Sequence, residues 1–300
     1  MSFLWLLSEI RTPFFDKLMQ LITYFGQEMM IITVICALYW CADKRFAYLL
    51  GFTYFTAGLG VQTLKITFRI PRPWILDPAF SAVDSALPAA TGYSFPSGHT
   101  QGATALYFPL FLKLKSVYLK VLCILAFLLV GFSRMYLGCH TPKDVFVSMA
   151  LTIALSLVIW HFQDFLLDDS RYLKQIAAVL ALLSLAVAAY ALVLNNTGII
   201  GTKYALDCCK ASGAGLGFSI GWYEERTKLN FDTRTKTLFG QLFKLTAGLA
   251  AALVIKKSFP VFLGTSVLAK MAEYFILVLW VLVIYPYMFS RGSRGFKKHS

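Results

Sequence analysis

Residues 118–134 read YLKVLCILAFLLVGFSR. Between Lys120 and Arg134 no charged side chain interrupts the run, and no proline breaks it. A stretch of this length fits a helix crossing hydrocarbon, which needs about 20 mostly apolar residues. Similar runs recur along the 300 residues. Nine spans are expected, at 20–40, 46–64, 98–114, 118–134, 145–163, 174–193, 207–223, 238–255 and 262–288. The expected fold class is therefore all-α, a polytopic integral membrane helical bundle. Residues 3–17, with Trp5 and Phe14 beside Arg11 and Lys17, read as a helix lying at the interface.

Composition supports the same class. Hydrophobic residues make up 58% and charged residues 14%, against about 25% charged in soluble proteins. Too few polar side chains remain to cover a water-soluble globule, and disorder or a small disulfide scaffold is excluded. The net charge of +13 is read as cations holding helix ends at the cytoplasmic face, with no nucleic acid partner. None of the six cysteines forms a C-x-x-C pair, so neither zinc nor a redox site is indicated.

Past Arg134 the chain continues Met-Tyr-Leu-Gly-Cys-His140-Thr-Pro-Lys-Asp144. Thr141 reads as an N-cap, Pro142 as the first helical residue and Asp144 as the acidic third. Asp144 follows His140 by four positions, close enough to accept its N–H. A carboxylate that keeps one ring nitrogen protonated leaves the other able to attack as a nucleophile. Arg134 offers a planar fork suited to phosphate oxygens. Pro96-Ser97-Gly98-His99 reads as a helix start, where unpaired N–H groups and the dipole favour an anion. Gly98 lets an oxyanion approach the backbone, Ser97 adds a hydroxyl donor, and His99 is placed to give or take a proton. Lys65 and Arg72, seven apart, share a helical face with Arg69, and Pro71 and Pro73 end that helix.

These segments, K-x6-R-P, P-S-G-H and S-R-x5-H-x3-D in that order, resemble the signature of the type 2 phosphatidic acid phosphatase superfamily. Eleven fixed residues match at the expected spacings. The resemblance covers about residues 45–165. It implies that His140 attacks phosphorus to form a phosphohistidine and that Asp144 orients it. His99 would protonate the leaving oxygen and then activate water. Lys65, Arg72, Ser97, the Gly98 N–H and Arg134 would hold the phosphoryl oxygens. No metal or other cofactor is implied, and no carboxylate cluster suggests one. Residues 1–195 are then a six-helix membrane phosphatase core. Residues 196–300 are accessory transmembrane helices of the same membrane domain. Nine helices, with two before the first motif, resemble the glucose-6-phosphatase layout.

The expected activity is hydrolysis of a lipid phosphate monoester or pyrophosphate, phosphatidate-like or polyprenyl. A lipid phosphotransferase using the same intermediate and a lipid or phosphate transporter are the alternatives. Glu28, inside the first expected span, is a further functional candidate. Lys270 and Glu273 are expected to pair, Lys244 to snorkel inward, and His161 and His299 to be incidental. Trp74, Asp77 and the loop to Tyr93 are read as an entry lid. The alternate connecting segments carry 15 cations on one side and 11 on the other. The richer side should be cytoplasmic, placing the motifs outside, in a bacterial inner membrane by the look of residues 69–78 and 90–99. Single cysteines at position 295 and within 75–90, introduced after the native six are removed, should label from opposite sides with an impermeant maleimide. Labelling from one side overturns the helix count.

Overall fold

The computed structural model describes residues 1–233 and 237–296, with side chains described to residue 290. Arg234, Lys236, Lys297, Lys298 and His299 lie outside the described residues. The chain is an all-α polytopic membrane protein, with no strand among the described residues. Its helices are α1 (Ser2–Glu9), α2 (Pro13–Tyr24), α3 (Glu28–Ala37), α4 (Lys44–Phe68), the short α5 (Pro73–Leu76), α6 (Gly98–Lys113), α7 (Val117–Tyr136) and α8 (Pro142–His161). They continue as α9 (Gln163–Leu167), α10 (Leu173–Asn196), α11 (Thr202–Glu224), α12 (Leu238–Leu263), α13 (Val267–Leu279) and α14 (Tyr285–Phe296).

Among the described residues, five helical segments are long and apolar enough to cross a membrane: 117–136, 142–161, 170–196, 238–263 and 267–290. The α2–α3 pair makes a sixth if it crosses as one bent span. The other expected spans fall on α4, α6 and α11, which are more polar. In α6 the polar side chains Thr100, Gln101 and Thr104 are buried, and α11 buries Cys208, Cys209, Ser212 and Ser219. These residues meet protein rather than lipid, so their hydropathy is free to fall.

The start of the chain departs from expectation. The interfacial helix 3–17 is divided, because Thr12 caps a new helix whose first residue is Pro13. The expected span 20–40 is broken between Tyr24 and Glu28, with a bend of 42°. Gly26 sits at the break. A Cβ there would lie 2.6 Å from both the His99 carbonyl oxygen and Val130 Cγ1, so only glycine lets the chain pass. Glu28, read as an intramembrane acid, is the exposed first residue of α3, at the break of the bent α2–α3 pair, where it complements the helix dipole.

By contact the chain divides into two compact units, Met1–Ile32 with Thr56–His161, and Thr33–Phe55 with Phe162–Ser300. In the first, α7 packs on α1, α2, α6 and α8. Its core gathers Leu4, Leu7, Phe80, Phe127, Val130 and Val145. In the second, α11 packs on α10 and α13. Cations there meet carboxylates: Lys44 Nζ lies 2.7 Å from the fully buried Glu225, which also accepts from the Tyr48 hydroxyl. Lys270 pairs with Glu273 at 2.7 Å, as expected. Lys244 is buried and donates to the Thr233 carbonyl at 2.8 Å.

Helices α11 and α13 approach closely through small residues. A Cβ at Gly213 would stand 2.0 Å from the Met271 carbonyl oxygen, and one at Gly217 2.7 Å from that of Phe275. Gly213→Ala should therefore lower thermal stability in detergent by about 1–3 kcal/mol. Gly58→Ala, where a Cβ meets open space, should be neutral or stabilising. Equal midpoints for the two variants would contradict the close α11–α13 approach.

Candidate active site

Three chain reversals in the first unit bring the motif residues together. The first follows α4. The helix stops at Phe68 because Arg69 takes a left-handed conformation, φ 49°. Arg69 is thereby turned out to the surface rather than sharing a face with Lys65. Arg72, three residues further along an extended turn, comes back inward and is buried. Lys65 Nζ donates to the Tyr93 carbonyl at 2.6 Å, and Arg72 Nε donates to that of Gly92 at 2.8 Å. Both cations are thus tied to the loop entering the second motif. Arg72 also lies over the Trp74 ring, 5.9 Å from its centroid.

The second reversal starts α6. Ser97 is its N-cap, and its Oγ accepts from the Thr100 N–H at 3.4 Å and the Thr100 hydroxyl at 2.9 Å. The Ser97 N–H donates to the Asp144 carbonyl, 3.0 Å, and the Ser148 hydroxyl to the Ser97 carbonyl, 2.7 Å. These bonds join the starts of α6 and α8. At Gly98 an added Cβ would meet nothing within 4 Å. Packing does not demand glycine there, and the backbone at this helix start is open to approach. His99 Nε2 is buried with no hydrogen-bond partner among the described residues.

The third reversal follows α7. Gly138, φ 77°, takes the left-handed position that ends a helix. A Cβ there would meet Arg11 Nη2 at 2.7 Å. Arg11 donates from Nε to the Tyr136 carbonyl, 3.1 Å, and from Nη1 to that of Ser81, 2.7 Å. The N-terminal helices thereby brace the turn that delivers His140. Arg134 is fully buried, with Nη1 donating to Thr23 Oγ1 at 3.2 Å. Its Nε and Nη2 have no protein acceptor among the described residues.

His140 is buried, and Arg72 Nη1 lies 2.9 Å from its Nε2. Guanidinium only donates, so Nε2 is the lone-pair nitrogen and Nδ1 carries the proton. Burial and the nearby Arg72, Arg134 and Lys65 hold the His140 imidazole well below its ordinary pKa, against an opposing pull from the Ser94 backbone. The ring therefore stays neutral with Nε2 available.

Asp144 sits at the third position of α8, and its Oδ2 accepts from the Thr141 N–H at 2.8 Å. That is the carboxylate half of the cap that the sequence suggests, and the Asp144 N–H donates to the Thr141 carbonyl at 3.1 Å. The same oxygen accepts from the Ser94 hydroxyl at 2.6 Å. His140 Nδ1 lies 3.7 Å away, beyond a formed hydrogen bond. The expected direct bond is thus replaced by close approach, because two other donors hold the carboxylate.

Arg134, Arg72 and Lys65 lie close enough to both His99 and His140 to act on each electrostatically. All eight motif residues named from the sequence surround one locus, which holds concentrated positive charge, two imidazoles and a helix N-terminus. Lys143 lies beside it, exposed, over the Phe95 ring. Sequence reasoning passed over Ser94, Thr23 and Arg11. Each acts on a residue 40 or more positions away, and nothing local to a serine, threonine or interfacial arginine marks such a role. The loop read as a lid is stitched down, with the Val83 N–H on the Leu137 carbonyl at 3.0 Å and Asp77 accepting from the Trp5 indole at 2.9 Å.

Known proteins resemble part of the chain. Undecaprenyl-diphosphatase BcrC of Bacillus subtilis is 32% identical over 111 residues, 37% of this chain and 54% of that protein. Sphingosine-1-phosphate phosphatase 2 of Homo sapiens is 29% identical over 164 residues, 52% of this chain and 40% of that protein. Phosphatidylglycerophosphatase B of Bacillus subtilis is 26% identical over 167 residues, 52% of this chain and 78% of that protein. The chain thus spans about half or less of the first two relatives. No solved structure matches it. The profile of the PAP2 superfamily matches residues 46–168, the segment carrying all three motifs, and that of the PAP2 superfamily phosphatase transmembrane extension matches 209–295. With both profiles in order along one chain and every motif residue gathered at one locus, the protein belongs to the PAP2 superfamily.

Proposed function

We propose that the protein is a membrane phosphatase that hydrolyses lipid phosphate monoesters or diphosphates through a phosphohistidine. One observation carries this reading: Arg134 is buried with two N–H groups lacking a protein acceptor, beside a neutral His140 whose Nε2 faces Arg72. A phosphoryl group supplies acceptors for those donors, and its phosphorus is the electrophile for that lone pair. The names of the relatives, each a phosphatase of a phosphorylated lipid or isoprenoid, favour the same substrate class.

In the proposed reaction the phosphoryl oxygens take over the Arg72 N–H from His140 Nε2. The freed nitrogen bonds to phosphorus as the ester or anhydride P–O bond breaks. The anionic group offsets the cations around His99, so that in the complex His99 holds a proton and gives it to the leaving oxygen. In the second step His99 takes a proton from water, whose oxygen attacks phosphorus and displaces His140. Lys65, Arg72, Arg134, the Ser97 hydroxyl and the Gly98 N–H stabilise the charge on the transferring group. Asp144 favours the imidazolium that develops on His140.

The two matched segments flank residues 169–208. Their separation supports reading 1–195 as the phosphatase core and 196–300 as accessory helices of the same membrane domain. The cation bias of the connecting segments supports an active site at the outer face. The two Bacillus relatives favour a bacterial cell membrane.

The test is phosphate release from a panel in proteoliposomes: long-chain phosphatidate, undecaprenyl diphosphate, short-chain esters and glucose 6-phosphate. Lipid substrates should be preferred, and equal efficiency on glucose 6-phosphate would discard the lipid assignment. His140→Ala should lower kcat by roughly 10⁴-fold or more, and Asp144→Asn by on the order of 10²-fold or more. Residual turnover near that of the unaltered enzyme in His140→Ala would refute the nucleophile.

The pH profile gives a separate check. His140 must be unprotonated to attack, and its surroundings favour loss of the proton. With the substrate's own ionisation subtracted, the acid limb of kcat/KM should therefore fall below about 6.5. A limb at or above that value would contradict the neutral, buried imidazole.

A further inference from the structure

We infer that Thr23, on α2 and outside the matched segment, is a positioning residue that fixes which edge of Arg134 faces the phosphoryl group. The inference rests on the phosphoryl-transfer reading above.

Both side chains are 0% exposed. Thr23 Oγ1 accepts from Arg134 Nη1 at 3.2 Å. A guanidinium presents parallel N–H pairs along two edges, Nε with Nη2 and Nη1 with Nη2. Thr23 takes one of the two N–H bonds of Nη1 and so anchors that corner of the guanidinium. With Nη1 held, the Nε–Nη2 edge is the one whose nitrogens are buried without a protein acceptor among the described residues. The hydroxyl thus fixes the orientation in which that edge is presented.

Thr23 is also held in place. It lies three residues before Gly26, whose missing side chain lets the chain pass against the His99 carbonyl and Val130. Val130 is one turn before Arg134 on α7. The last turn of α2 therefore touches the start of α6 and the helix that carries Arg134. A neutral oxygen suits the task. An acidic side chain at this point would cancel part of the charge that Arg134 brings to an anion, whereas a hydroxyl orients it and leaves the charge intact.

The test uses the full chain in detergent, with orthovanadate as a phosphate-like probe and a short-chain phosphatidate as substrate. Thr23→Val keeps the shape and removes the acceptor. It should weaken orthovanadate binding and lower kcat/KM, each on the order of tenfold, as expected for a buried charged donor left unsatisfied. Thr23→Ser restores the oxygen and should stay within about twofold of the unaltered protein on both readouts. In an Arg134→Ala background, Thr23→Val should cause no further loss of binding. If Thr23→Val fails to fold, Thr23→Ala is read in the same way. The inference is overturned by unchanged binding in Thr23→Val, by equal losses in the Val and Ser variants, or by an undiminished effect without Arg134. Orthovanadate binding that depends on Thr23, in a protein that releases phosphate from no lipid, would sink the phosphatase reading and leave this inference standing.

Discussion

Burying cations beside an apolar bilayer is the constraint on which the first unit is built. A charge removed from water is tolerated only when polar groups replace its solvation. Here the named acceptors are largely uncharged: the carbonyls of Gly92, Tyr93 and Cys139 for Lys65 and Arg72, and a hydroxyl for Arg134. Acceptors of this kind orient a cation without cancelling its field. In the second unit Lys44 pairs with Glu225 and Lys270 with Glu273, while the buried Lys244 rests on the Thr233 carbonyl. Carbonyl and hydroxyl acceptors leave a cation's charge in place, whereas a carboxylate partner offsets it.

The loop from residue 69 to residue 97 follows from that constraint. It supplies carbonyls to two cations, and its own path is fixed by the Ser94 N–H on the Ile70 carbonyl at 2.9 Å. Ser94 then turns its hydroxyl to Asp144. One short segment therefore sets the positions of Lys65, Arg72 and the carboxylate beside His140. The Asp144 side chain does two jobs in consequence, closing the first turn of α8 and standing next to His140.

The parts of this architecture legible in the sequence are those encoded locally. Apolar runs mark helices because the lipid imposes hydrophobicity on every turn it touches. Thr141, Pro142 and Asp144 mark a helix start because capping is a matter between near neighbours. The eight site residues are legible because their spacing is fixed by the turns that carry them. What stays hidden depends on distant partners. The break at Gly26 is set by His99 and Val130, and the early end of α4 at Phe68 by the need to turn Arg72 back toward His140. Ser94 and Thr23 act across 50 and 111 positions. Helices α4, α6 and α11 read as spans less clearly than α7, because protein covers much of their surface and relaxes the demand for apolar residues.

The N-terminal helices and the loop beyond α5 are fastened to one another at several points. Trp5 holds Asp77, Arg11 holds the Ser81 carbonyl, and the Ser85 hydroxyl meets Gln20. The two segments are separated in the chain by about 50 residues or more, and the superfamily profile covers only the second. They therefore form one hydrogen-bonded unit. Any recombination between relatives that exchanges one without the other separates complementary surfaces above the active site. A functional chimera must cut so that residues 1–26 and 73–90 travel together.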